Sequence, residues 1–126
     1  MEQRKILIID DDRVLVQILG RRISAAGYEV LTAFDGVQGL KLAFHENPSL
    51  IILDIMFPAG GGIEILKKLS SSTKTWNIPI IINTGHDDPQ FKQTVSQYNI
   101  VDFMLKPVDP EKIVQKIKEV LKENPK

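Results

Sequence analysis

Four places in this 126-residue sequence put carboxylate, hydroxyl or ammonium groups directly after an apolar run. Asp10-Asp11-Asp12 follows Ile6-Leu7-Ile8-Ile9, and Asp54 follows Leu50-Ile51-Ile52-Leu53. Asn83-Thr84-Gly85 follows Ile78-Pro79-Ile80-Ile81-Ile82, and Lys106-Pro107 follows Val101-Asp102-Phe103-Met104-Leu105. Adjacent carboxylates at the end of a greasy segment repel one another and lose hydration, which raises their pKa values unless a cation or donor compensates. A divalent ion is the natural compensation. Clustered Asp with no cysteine and only two histidines, His45 and His86, selects magnesium over zinc or copper. A carboxylate nucleophile, a metal, a hydroxyl donor and an ammonium are together the parts that move a phosphoryl group, because that reaction is mainly positioning and neutralisation of oxygen charge. An Asp can itself accept the group as an aspartyl phosphate.

Singly, these residues have plainer roles. An Asp after a strand is often a helix N-cap, and Asp12 or Asp11 fits that role for a helix that follows. Asp54 precedes Ile55-Met56-Phe57-Pro58, where no helix starts, so capping explains it poorly. Thr84 alone reads as a turn former, Lys106 alone as a solvated charge, and Phe103 as a strand aromatic packed under the fourth helix.

The elements that must gather these groups are legible in the alternation of short apolar runs with segments of helical period. Ile6–Ile9, Leu50–Leu53 and Ile78–Ile82 are nearly continuous apolar, as parallel strands buried on both faces should be. Glu29–Ala33 and Val101–Leu105 read as flanking strands. Val14, Leu15, Ile18, Leu19 and Ile23 mark the inner face of a helix over residues 13–26, which Gly27 closes in the left-handed conformation. Asp35 caps a second helix with Val37, Leu40 and Phe44 inward, and a third carries Ile63, Leu66 and Leu69. Asp88-Pro89 and Asp109-Pro110 open a fourth helix, with Phe91 and Val95 inward, and a fifth, with Ile113, Ile117, Val120 and Leu121. The sum is an α/β, doubly wound (βα)5 unit, in which functional groups gather outside the carboxyl ends of the strands.

Composition narrows the function further. The chain is 43% hydrophobic and 25% charged, which suits one domain spanning 1–126. Sixteen basic residues balance sixteen acidic ones, so bulk charge directs the chain neither to nucleic acid nor to a membrane. Residues 112–126 nevertheless hold five Lys against Glu119 and Glu123, a solvated face or a partner surface. The absence of cysteine excludes disulfides, thiolate metal sites and a cysteine nucleophile, and the expected compartment is the reducing cytoplasm.

In this order and spacing, the four segments resemble the receiver domain of two-component response regulators, of the chemotaxis-receiver kind, over essentially the whole chain. The resemblance implies a flavodoxin-like sandwich with a parallel five-stranded sheet of order 2-1-3-4-5. It implies that Asp54 accepts a phosphoryl group from a histidine kinase or histidine phosphotransfer protein in a Mg2+-dependent reaction, with Mn2+ as an alternative ion. Asp10, Asp11, Asp54 and the Met56 carbonyl would hold the ion. Thr84 would bond one phosphoryl oxygen and Lys106 another, and the Lys106-Pro107 peptide would be cis. Phe103 takes the position of the family's aromatic switch residue, more often Tyr. Met56 and His86 stand two residues beyond Asp54 and Thr84, where the family tunes the lifetime of the phosphoryl group. The loop Pro58-Ala59-Gly60-Gly61-Gly62 departs from the usual Pro-x-Met-Asp-Gly, and glycine there widens the backbone's choices.

The function implied is a stand-alone phosphorylation switch that is no enzyme beyond its own phosphotransfer and dephosphorylation. Its output is altered binding of an unidentified protein through the surface of the last two strands and the fourth and fifth helices, with no direct contact to nucleic acid or membrane. The stand-alone form is expected because the fifth helix takes up Asp109 through Lys122 of this sequence. A degenerate receiver that binds partners without phosphorylation is the first alternative. A Mg2+-dependent phosphohydrolase is the second, disfavoured because Asp-x-Asp is absent around Asp54. A nucleotide- or flavin-binding domain lacks a glycine fingerprint.

Overall fold

The computed structural model describes residues 3–55, 61–85 and 87–122. Five strands alternate with five helices: β1 (Lys5–Ile9), α1 (Arg13–Ala25), β2 (Glu29–Ala33), α2 (Gly36–Glu46), β3 (Leu50–Leu53), α3 (Gly61–Ser70), β4 (Ile80–Thr84), α4 (Pro89–Val95), β5 (Ile100–Leu105) and α5 (Pro110–Val120). All neighbouring strands pair in parallel, in the order β2-β1-β3-β4-β5. Chain order reverses direction between β1 and β3, the crevice toward which the acidic residues lead.

Each face of the sheet has its own core, and period two decides which residue joins which. Leu7, Ile9, Ile51, Leu53, Ile80 and Ile82 face Ala43 of α2, Leu66 of α3 and Val95 of α4. Ile6, Ile8, Leu50, Ile52 and Ile81 face Leu19 and Ile23 of α1 and Ile113 and Ile117 of α5. Helices start where aspartates accept from backbone N–H groups of the first turn: Asp12 from Leu15, Asp35 from Gln38, Asp88 from Gln90 and Asp109 from Glu111. Between the two candidates for the first cap, Asp12 takes the role. Gly27 follows α1 at φ +104, in the left-handed region expected of it.

Several expected inner faces are corrected. Val14 and Ile18 of α1 are exposed, and Val16 is buried with Leu19 and Ile23. Residues 16, 19 and 23 form the true stripe at about 100° per residue, which turns 14 and 18 to the far side. Val37 in the first turn of α2 is exposed, while Gly39 and Ala43 lie against the sheet. An added Cβ at Gly39 would stand 2.7 Å from Ile9 Cδ1, so close packing of this helix selects small residues over large apolar ones. In α3 the buried residues include Ile65, with Ile63 only half-buried, and in α5 they include Val114. β4 begins at Ile80, because Pro79 has no N–H to donate to a ladder.

Candidate functional site

The strand ends bring Asp10, Asp11, Asp54 and Lys106 to one rim, with Thr84 ending the neighbouring β4. The sheet ladder continues one step past β3, where the Asp54 N–H donates to the Ile9 carbonyl at 3.0 Å, and past β5, where the Lys106 N–H donates to the Thr84 carbonyl at 2.7 Å. Backbone pairing thus extends into the site, and the side chains inherit the rigidity of the sheet. Asp10 is 2% exposed, Asp54 7% and Thr84 fully buried, whereas Asp11 is exposed.

Lys106 Nζ donates to Asp54 Oδ2 and also lies 2.9 Å from Asp10 Oδ2, so one ammonium ties the ends of β1, β3 and β5 together. The other Asp10 oxygen, Oδ1, accepts from the Asp12 N–H at 2.9 Å. Burial pushes the Asp10 carboxyl above the usual range despite these partners, the Lys106 hydrogen bond, the Asp12 N–H and the Lys106 charge all pulling the other way. For Lys106, burial is the largest single influence and lowers its pKa. The hydrogen bonds and charges of Asp10 and Asp54 together outweigh it, and the ammonium is held above its ordinary value.

Asp10, Asp11 and Asp54 each offer a carboxylate oxygen, and these oxygens lie within 4.8 Å of one another. One ammonium against three carboxylates leaves negative charge uncompensated. An all-oxygen donor set with a buried floor and one exposed acid suits a hard divalent ion that keeps part of its water shell. Met56 and His86, expected as a carbonyl ligand and as lifetime-tuning residues, lie outside the described residues, as does Gly60. The Lys106-Pro107 peptide is cis.

Phe103 is half-buried on β5 and packs against the core shared with α4. Lys92 of α4 places its ammonium 5.0 Å from the ring centroid, a cation–π contact. On the opposite side of β5, Asp102 accepts from the Phe103 N–H and pairs with Lys116 of α5 at 3.7 Å.

Two residues at the site were named in the sequence only as members of a run, with no role of their own. Gly62 packs so closely on the chain just beyond Asp54 that an added Cβ would stand 2.3 Å from the Ile55 carbonyl oxygen. Its signal was present in a glycine run after the acid, but spacing alone does not say which glycine is needed. Asn83 is 1% exposed at the end of β4, and neither polar atom of its side chain has a hydrogen-bond partner among the described residues. A lone amide closing the run Ile80-Ile81-Ile82 was its signal.

Known proteins share both sequence and shape with this chain. The description "Response regulator receiver domain" matches residues 6–118. The chain is 35% identical over 119 residues to the alkaline phosphatase synthesis transcriptional regulatory protein PhoP of Bacillus subtilis, covering 94% of this chain and 49% of that protein. It is 35% identical over 121 residues to the response regulator ArlR of Staphylococcus aureus, covering 96% of this chain and 54% of that protein. The chain therefore spans about half the length of the curated relatives it matches. Among solved structures, a CheY-like receiver domain protein from Methanospirillum hungatei superposes with a TM-score of 0.89 at 29% identity, covering 97% of this chain and 96% of that one. The chemotaxis protein CheY4 of Vibrio cholerae gives 0.87 at 28% identity, covering 94% and 99%. With the strand order, the acidic rim and the lysine that bridges its carboxylates agreeing with this match across nearly its whole length, the chain belongs to the response regulator receiver domain family of two-component systems.

Proposed function

We propose that Asp54 is the phosphoacceptor of a Mg2+-dependent switch. The observation that carries this reading is the half-buried Lys106 ammonium shared between Asp54 and Asp10 at 2.9 Å each, with Asp11 completing the acidic set. In the forward step an Asp54 oxygen attacks phosphorus, the P–N bond to the donor histidine breaks, and the electron pair returns to the imidazole nitrogen, which takes up a proton. Lys106 neutralises oxygen charge on the acceptor side, and Thr84 supplies a hydroxyl donor at the neighbouring strand end. Asp10, Asp11 and Asp54 would hold Mg2+, or Mn2+ in its place, which offsets charge on the transferring oxygens. The donor is a histidine kinase or histidine phosphotransfer protein.

Phosphorylation adds charge beside Lys106 and Thr84. Because the Thr84 carbonyl accepts from the Lys106 backbone, a pull on either residue is felt by both strands. We propose that this biases two packings of α4, β5 and α5, with Phe103 and Lys92 at the moving surface, and that the output is a change in protein binding. The relatives' names place such receivers in transcriptional regulators. For this domain, balanced charge favours a protein partner over direct nucleic-acid contact. We further read residues 1–126 as one receiver unit working in the cytoplasm. Among the described residues no helix is long and apolar enough to cross a membrane.

The test is intact mass after exposure to a small phosphodonor and Mg2+, on wild type and Asp54→Asn. A single labile phosphate on wild type, absent from the variant and dependent on the ion, is the expected result. No adduct on wild type would overturn the assignment and leave a receiver that binds partners without phosphorylation.

A further inference from the structure

Asn83 is a buried amide in a strand where an apolar residue would sit without cost, and the sheet register gives its place. Leu53 pairs with Ile9 on one side and with Ile82 on the other, so Asp10, Asp54 and Asn83 are the next residues along one cross-strand row. Two residues earlier stand Ile8, Ile52 and Ile81, all buried against α1 and α5. Period two therefore turns Asp10, Asp54 and Asn83 onto the same face. Asn83 pairs with Met104, which packs against that same core, and Lys106 lies two residues beyond it. Adjacent strands are about 4.8 Å apart, so extending the register by one residue sets the Asn83 and Asp54 side chains beside each other on neighbouring strands. Lys106 is bonded to Asp54 Oδ2.

We infer that Asn83 is a positioning residue that shortens the life of the phosphorylated state, its Nδ2–H donating to the Asp54 side chain as the phosphoryl group leaves. The inference rests on the phosphoacceptor reading above. In that step water oxygen attacks phosphorus and the P–O bond to Asp54 breaks. The electron pair returns to the Asp54 carboxylate, and the water leaves one proton on the new P–OH and gives the other to solvent. Negative charge on the Asp54 oxygens grows along the way. A fixed donor there favours the transition state over the acyl phosphate. A hydrogen bond to a partly formed charge in a buried site corresponds to about tenfold in rate.

Asn83→Val and Asn83→Thr test this as a pair, since the two replacements have nearly one shape, both suit a buried strand, and only threonine retains a donor. Each protein is loaded with acetyl phosphate and Mg2+, the donor is removed, and the adduct is followed by intact mass. The expected result is loss about tenfold slower in Asn83→Val than in wild type, with most of the rate restored in Asn83→Thr. In wild type, the Asn83 side-chain amide resonances should also shift on adding beryllofluoride and Mg2+. Equal rates in all three proteins, or equally slowed rates in the two variants, overturn the role of Asn83 alone. Absence of an adduct on wild type overturns the phosphoacceptor reading with it.

Discussion

Gly62→Ala should damage both stability and phosphoacceptor chemistry, while Gly61→Ala, one residue away in the same helical turn, should do neither. A Cβ at Gly62 would lie 2.3 Å from the Ile55 carbonyl oxygen and 2.5 Å from Ile55 Cα, both backbone atoms that no rotamer change can move. Ordinary carbon contacts are about 3.5–4.0 Å, so α3 and the chain after β3 must separate by roughly 1 Å. Overpacking of this kind costs about 1–3 kcal/mol, against a gain of about 1 kcal/mol from alanine's helix propensity. Among the described residues nothing lies within 4 Å of such a Cβ at Gly61, and there the substitution should stabilise by about 0.4–1 kcal/mol. Urea unfolding should thus separate the two variants by up to about 3 kcal/mol. Ile55 follows Asp54 directly, and a displacement of about 1 Å in a reacting group can cost about 100-fold in rate. Acetyl phosphate labelling should therefore slow at least tenfold in Gly62→Ala, by that reasoning, and hold its wild-type rate in Gly61→Ala. Matching stability and labelling in the two variants would refute the close approach as a constraint on the site.

Other consequences follow from the same geometry. Lys106→Met leaves Asp10 and Asp54 buried without their shared cation and should destabilise by about 3 kcal/mol in urea, with millimolar Mg2+ recovering part of the loss; equal midpoints with and without the ion would count against the acidic set as its binding site. Asp10→Asn should raise the unfolding midpoint at pH 7. Burial raises the native Asp10 pKa above 3.8, so stability falls as pH rises through the native value and ionisation costs the folded state, a penalty that asparagine lacks. The gain should vanish near pH 3, where both proteins are neutral at this position, and a pH-independent gain would contradict that cause. For Lys106 the sign leaves its contribution intact at neutral pH and removes it as pH climbs past its raised native value, above 10.5. On α1, Val14→Gln should change stability by less than about 0.5 kcal/mol and Val16→Gln should cost several, since only the second buries an amide in an apolar core. Comparable losses in thermal unfolding would restore the discarded helix face.

The parts of the fold that sequence conveyed well are those governed by one local rule. Asp35, Asp88 and Asp109 cap helices because a short acceptor beside a proline or glycine start has few other uses, and the three central strands are apolar on both sides because both sides are covered. Helix faces were less legible where two apolar ridges compete. Val14 and Ile18 repeat at four as regularly as Leu19 and Ile23, and only the position of the sheet decides between them. Among the site residues, Asp10, Asp54, Thr84 and Lys106 could be located because they end strands. The Lys106 bridge from Asp54 to Asp10 could not, since it depends on three strands that are distant in sequence.

That bridge depends on an irregularity that no sequence pattern announces. Ile80 pairs with Ile100 but Ile81 pairs with Asp102, so β5 carries one extra residue at this point. Ile100 packs with the core under α2, α3 and α4, and so does Phe103, three residues on, which an unbroken alternation would have placed on the opposite face. The extra residue resets the period. Val101 and Met104 both pack toward α1 and α5, and Asp102 reaches Lys116 of α5. Counting two residues on from Met104 brings Lys106 to the face that carries Asp10 and Asp54. Had β5 run without the bulge, the lysine would have been turned toward the α4 side and Phe103 away from it. One inserted residue therefore aligns both the cation needed beside the carboxylates and the aromatic beside α4, which couples the chemistry of the site to the proposed output surface through a single strand.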